Sequence, residues 1–193
     1  MRRQRIDPII RSVSWLDEVE RLDVAVYGAI AGTPTPQLDN ALRRLSHAAN
    51  YSRLSMASGA VLAIAGGPTG RRAAALGFAS VAATSGFVNL VVKPLGRRPR
   101  PDRSGEEVPA ARHVRMPASR SFPSGHTAAA VAFAGGVGSV LPAAGIPLHV
   151  LAALVGYSRV HTGVHYPGDV IAGALLGAII ADITVGVLNA GRR

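Results

Sequence analysis

No cysteine occurs among the 193 residues. That absence excludes a disulfide scaffold, a thiolate zinc site and a cysteine nucleophile. Acidic side chains are scarce too, 11 against 21 Lys and Arg, which leaves a formal charge of +10. Strand signals are poor, because the apolar runs are Ala-rich and too long, and no internal repeat is visible. Charge is missing altogether from several long stretches, and this last absence organises the rest.

A sequence pI near 11.4 would suggest a nucleic-acid partner in a soluble chain. Here 48% of positions are hydrophobic and the charges are confined to a few segments, so a membrane is the expected partner and nucleic acid is not. Residues 73–92 are twenty consecutive uncharged positions, close to the roughly 20 that cross about 30 Å of hydrocarbon. Residues 127–158 contain no Asp, Glu, Lys or Arg, with Pro142, Gly145 and Pro147 near the middle, and read as two spans joined by a bend. Residues 170–190 are apolar apart from Asp182, residues 54–67 form a shorter run, and residues 22–32 a weaker one that either crosses the bilayer or lies along it. Residues 33–50 place Leu38, Leu42 and Leu45 at helical spacing beside Arg43, Arg44 and His47, which suits an interfacial helix or a surface helix covering a bundle. No apolar core follows Met1-Arg2-Arg3-Gln4-Arg5, so a cleavable signal is not expected.

The expected fold is therefore all-α, a polytopic transmembrane bundle of about five to six membrane helices forming a single domain. Residues 1–50 supply the N-terminal helix and interfacial segment, and 51–190 the helical core. Small residues such as Gly173 and Gly177 let helix backbones approach closely.

Three polar segments sit at span ends on one side of the membrane: Lys93 to Pro101, Pro123-Ser124-Gly125-His126, and Ser158-Arg159 through His165 to Asp169. Between Lys93 and Arg120 there are eight Lys or Arg and three Asp or Glu, giving this connection +5. Several fixed guanidinium and ammonium donors suit a phosphate, whereas a charge run standing alone is usually a solvated face. Ser124 and Gly125 open a helix, where backbone N–H groups face an anion; the plainer role is a serine N-cap. His165 and Asp169 are four residues apart, so the carboxylate can fix the imidazole tautomer and leave the other nitrogen nucleophilic, or simply sit as an acid at a helix N-terminus. His126 beside the same cations then suits protonation of a leaving oxygen.

These segments resemble the type 2 phosphatidic acid phosphatase family, the PAP2 or lipid phosphate phosphatase superfamily. Its pattern K-x6-R-P is met by Lys93, Arg100 and Pro101, its P-S-G-H by residues 123–126, and its S-R-x5-H-x3-D by Ser158, Arg159, His165 and Asp169. The resemblance covers residues 50–190 and implies a PAP2-like bundle that hydrolyses a phosphate monoester or diphosphate of a lipid through a phosphohistidine. It implies His165 as nucleophile, Asp169 as its orienting group, His126 as general acid, and Lys93, Arg100, Ser124, Gly125 and Arg159 as the phosphate cradle. No metal and no cofactor is implied. Isoprenyl phosphates, phosphorylated isoprenyl sugars, phosphatidylglycerophosphate and phosphatidate are the implied substrate range, in a bacterial cell membrane. Arg97 and Arg98 are left outside the catalytic set as lipid or headgroup contacts, and His161 and Tyr166 as packing or substrate-shaping residues.

Three other readings remain open. A phosphohistidine can pass its phosphoryl group to another alcohol, which would make a lipid phosphotransferase. A related haloperoxidase uses the same anion pocket, but those proteins are soluble and larger, and the uncharged spans count against it. A basic membrane protein that only binds anionic lipid leaves the histidines unexplained. Arg71 and Arg72, with Arg192 and Arg193, and with the N-terminal arginines if residues 22–32 span, mark the side opposite the motifs as cytoplasmic and the motifs as external.

Overall fold

The structure is a computed structural model that describes residues 15–105 and 108–191. Every regular element among them is helical: α1 Trp15–Gly32, α2 Pro36–Ala48, α3 Arg53–Ala65, α4 Gly67–Leu95, α5 Gly125–Gly138, α6 Pro142–His161 and α7 Pro167–Ala190. Proline opens α2, α6 and α7, where its missing N–H costs no helical hydrogen bond and its fixed φ already suits the helix. The all-helical expectation agrees with this architecture.

By length and composition α4, α6 and α7 can each cross a membrane. α3 and α5, from the other two apolar runs, have 13 and 14 residues, about 20 Å at 1.5 Å per residue. α5 is apolar on every side and is the hub, packed against α4, α6 and α7. A Cβ on Gly177 would lie 2.3 Å from the Ala128 carbonyl oxygen, and one on Gly173 2.5 Å from that of Ser124. The α5–α7 contact is thus backbone on backbone, as the small-residue spacing suggested. The bend expected around Pro142 to Pro147 falls earlier, at residues 139–141; Pro147 lies inside α6, past its first turn, where it leaves the Ala143 carbonyl without a helical donor. The outer face of α7 carries Ile171, Leu175, Ile179 and Ile183 exposed at four-residue intervals, and Asp182 is exposed beside them.

The ends of the helices sort by chemistry. Lys93, Gly125, Arg159 and Pro167 gather at one end, through the direct contacts described below. Arg72 lies at the other, its Nη2 donating to Asn189 Oδ1 at 3.2 Å. The remaining arginines used for sidedness, Arg2, Arg3, Arg5, Arg11, Arg192 and Arg193, lie outside the described residues.

α1 and α2 cover the motif end. Asp23 of α1 touches Gly168 at the start of α7, Tyr27 packs edge-on against Tyr166, and the Ile30 and Ala31 carbonyls accept from Arg112. Residues 23–31 therefore lie over the motif end rather than threading the bundle. α2 buries Asp39, Leu42 and Ser46 against α6, the covering-helix arrangement, with Leu38 half exposed.

Candidate active site

The π-helical segment Val88–Val92 precedes Lys93. Pro94 cannot donate to the Leu90 carbonyl and its ring crowds it, and the wider turn accommodates both effects. Lys93 then comes to rest over the next motif: a Cβ on Gly125 would meet Lys93 Nζ at 3.5 Å. The ammonium thus lies in van der Waals reach of the start of that turn.

Gly125 opens α5 behind Ser124, which is fully buried and acts as N-cap, its Oγ against Thr127 Oγ1 at 2.9 Å. The serine hydroxyl is thereby engaged in the cap. The first N–H groups of α5, at Gly125 and His126, point out of the helix start, where an anion is favoured. The Ser124 N–H donates to the Asp169 carbonyl at 2.9 Å, which ties this turn to the start of α7.

α7 starts at Pro167, so His165 stands just ahead of it and Asp169 in its first turn. Asp169 Oδ2 accepts from the Tyr166 N–H at 3.0 Å and from the Ser121 hydroxyl, and lies 3.4 Å from His165 Nδ1. On the other side of the ring, His165 Nε2 is 3.2 Å from Arg100 Nη1. A guanidinium can only donate, so Nε2 is the acceptor and the ring proton sits on Nδ1 toward Asp169. Burial holds the His165 pKa down to about 4, with Asp169 opposing the shift and the Arg100 charge adding to it. The ring is neutral at pH 7.

His126 Nε2 lies 3.0 Å from Asn50 Oδ1, at the turn before α3. Its pKa is pushed down to about 3, first by burial and then by the charges of Arg159, His165, Lys93 and Arg100. The same charges act on both imidazoles, so the three sequence segments share one electrostatic site. Arg159 is buried; its Nη1 donates to Ser46 Oγ at 2.6 Å, and its Nε is buried without a hydrogen-bond partner. An unanswered donor on a buried cation is a position for a ligand oxygen.

A cleft of about 200 Å³ runs from this end between α3, α4 and α5, lined by Tyr51, Ser55, Val88, Lys93, Gly125 and His126. A wider depression of about 390 Å³, lined by Asn50, Tyr51, Arg115, Met116 and His126, adjoins it. His126 and Tyr51 border both.

All eight site residues expected from sequence sit at this end, and two of them hold protein groups in the free protein. Ser124 caps α5. Arg100 braces the long connection, with Nε donating to the Ser119 carbonyl at 2.9 Å and Nη1 to that of Val164 at 2.7 Å, while covering His165 Nε2. The basic connection is likewise only partly a phosphate surface. Arg98 and Arg112 hold the Asp23 and Asp39 carboxylates, while Arg100, Arg103 and again Arg112 donate to backbone carbonyls that irregular backbone leaves in need of donors. His161, bonded to Thr35 Oγ1 at 3.0 Å and 3.2 Å from Asp39 Oδ1, packs away from the cleft.

Sequence reasoning passed over Ser119, Ser121 and Asn50. Ser119 Oγ accepts from Lys93 at 3.4 Å and Arg100 at 3.2 Å. These residues carry no motif; only their proximity to one end of the bundle marks them.

Comparison with known proteins gives a consistent result. The PAP2 superfamily model matches residues 74–192. The chain is 36% identical over 154 residues to a decaprenylphosphoryl-5-phosphoribose phosphatase of Mycolicibacterium smegmatis, covering 78% of each chain. It is 38% identical over 107 residues to the Mycobacterium tuberculosis protein of that name, and there the match spans 55% of this chain and 56% of the relative, about half its length. In three dimensions it resembles a transmembrane PAP2 type phosphatidylglycerolphosphate phosphatase from Bacillus subtilis, with TM-score 0.66 and 26% identity over 90% of this chain and 88% of that one.

Proposed function

The chain belongs to the PAP2 superfamily, and from that membership we propose that it is an integral-membrane lipid phosphatase acting through a phosphohistidine, with no metal. The observation that carries this reading is the hydrogen bond from Ser124 N–H to the Asp169 carbonyl, which joins the turn bearing His126, at the cleft, to the turn bearing His165.

The proposed chemistry has two steps. The Nε2 lone pair of His165 attacks phosphorus, the bond to the lipid oxygen breaks, and His126 delivers a proton to that oxygen. Water then attacks the phosphohistidine, His126 takes its proton, the P–N bond breaks and phosphate leaves. Lys93, Arg159, the Gly125 and His126 amides and a displaced Arg100 hold the equatorial oxygens, where charge builds in phosphoryl transfer. Ser124 contributes by fixing those amides. Both imidazoles are neutral in the free protein, so the proton for the leaving group is taken up by His126 as the phosphate dianion arrives and offsets the surrounding cations.

The substrate proposed is a phosphate carried on an isoprenoid lipid. The cleft supports this: its phosphate end is cationic, and it continues between α3 and α4 past Ser55 and Val88. The two mycobacterial relatives, both decaprenylphosphoryl-5-phosphoribose phosphatases, point to the same class. Arg71 and Arg72 at the far end favour a cytoplasmic far side and an external site.

Protein purified in detergent with excess chelator should release phosphate from a short-chain isoprenyl phosphate faster than from phosphatidate, and vanadate should inhibit it. His165→Ala should lower kcat by about a thousandfold or more. Undiminished turnover in that variant removes the nucleophile assignment, and activity lost to chelator and restored by a divalent ion removes the metal-free mechanism.

A further inference from the structure

Asp169 has a second oxygen, and its environment is built by residues at none of the fixed positions of the three motifs. Arg98 Nη1 lies 3.3 Å from Asp169 Oδ1 and 2.6 Å from Asp23 Oδ2, so one guanidinium nitrogen is shared between two carboxylates. The Arg98 guanidinium also lies 4.0 Å over the Tyr166 ring, which fixes its plane. Asp23 uses its other oxygen, Oδ1, to accept the Gly168 N–H at 2.6 Å. A Cβ at Gly168 would lie 2.8 Å from Asp23 Oδ2, so the approach depends on glycine. Asp23 belongs to α1, ahead of residues 74–192 matched by the family model.

We propose that Arg98 and Asp23 are positioning residues for the His165–Asp169 pair, with Asp23 setting how much of the Arg98 charge reaches Asp169. The inference rests on His165 acting as the nucleophile. Negative charge on Asp169 Oδ2 supports the Nδ1–H and hence the basicity of Nε2. A cation on Oδ1 draws that charge away, and Asp23, as the nearer partner of the same nitrogen, holds the cation back. Arg98 is thus a protein contact rather than the lipid or headgroup contact expected from its place in the sequence. His165 is also faced by Arg100 from the long connection, Arg159 from α6 and His126 from α5; none of these is altered in the test.

The two substitutions have opposite signs. Arg98→Gln removes the cation from Asp169, stabilises the imidazolium, and should move the acid limb of kcat/KM upward by about one pH unit. Asp23→Asn keeps an oxygen for Gly168 but turns an amide N–H toward Arg98, driving the guanidinium onto Asp169. The acid limb should then move downward. Neither side chain is placed against the phosphate, so KM should stay within about twofold while kcat falls about tenfold. Arg98→Lys, which keeps the charge, should leave the limb close to that of the parent protein; with Asp23→Asn it reads the same effect if Arg98→Gln does not fold. Limbs that move together or not at all, with His165→Ala inactive, overturn the positioning role and leave the nucleophile standing. Full turnover in His165→Ala overturns both.

Discussion

Arg100 Nη1 stands 3.2 Å from His165 Nε2, over the lone pair that the proposed reaction requires. Because the same nitrogen donates to the Val164 carbonyl at 2.7 Å, the guanidinium is held there by the loop as well as by the ring. The resting contact assigns the tautomer, and a phosphate entering the cradle must draw Arg100 off the nucleophile. In the proposed reaction one side chain would guard the imidazole before binding and neutralise phosphoryl oxygen afterwards.

The site of phosphorylation follows. An intermediate trapped by rapid alkaline quench and read by mass spectrometry and phosphorus NMR should carry phosphate on His165 at Nε2. Phosphate on His165 Nδ1 contradicts the tautomer drawn from Arg100, and phosphate on His126 contradicts the choice of nucleophile. Arg100→Ala should lower kcat/KM about a hundredfold or more, since it removes a cation that stabilises transition-state charge.

The pH dependence has a defined sign. His165 must be neutral to attack, and its pKa in the free protein is about 4, below its ordinary value of 6.5. In kcat/KM, activity should hold as pH falls through 6.5 and collapse near 4. Stability moves in the same direction: between pH 6.5 and 4 the unfolded chain binds a proton that the native ring refuses, so the folded state is weakened as pH falls through that window. Calorimetry at pH 7 and pH 4.5 should give the lower Tm at 4.5. An acid limb centred at 6.5 would mean that the ring is not buried as described.

The backbone contact between α5 and α7 can be tested by volume. Gly173→Leu has no room beside the Ser124 carbonyl, so it should push the start of α5 from α7. A loss of about 1–3 kcal/mol is the ordinary cost of overpacking, and activity should fall further than stability because the Ser124–Asp169 bond lengthens. A larger side chain accommodated with unchanged Tm and kcat would show that the helices do not meet there.

Arg112 is fully buried, with Nε on Asp39 Oδ1 at 2.9 Å and Nη2 on the Thr33 carbonyl at 2.7 Å. Arg112→Met leaves Asp39 buried without its cation and the α1–α2 turn without its donors. Such a break costs about 3–5 kcal/mol, visible as a fall in Tm in detergent. Arg115→Met, at an exposed residue of the same connection, should leave Tm unchanged, which separates the structural arginines from the surface ones.

Much of this protein was legible before any coordinates. Uncharged runs near 20 residues long dictate helices, because a backbone in hydrocarbon must satisfy its own hydrogen bonds. The motif spacings placed Lys93, His126, Arg159, His165 and Asp169 at helix ends, and the connectivity of α4 to α7 brings those ends together. Gly173 and Gly177 announced a close helix contact for the same local reason, the absence of a side chain.

What only the tertiary structure decided is which partner each polar group takes. Arg98 and Arg100 are two residues apart in one basic run, yet one shares its charge between Asp23 and Asp169 while the other covers His165. Ser121 and Asn50 have no motif, and they reach Asp169 and His126 across 48 and 76 residues of chain. That residues 22–32 bring Asp23 and Tyr27 onto α7 and the loop before it was likewise not written in the sequence. Helix formation is a short-range consequence of composition, whereas charge pairing depends on distances that exist only after the helices have packed.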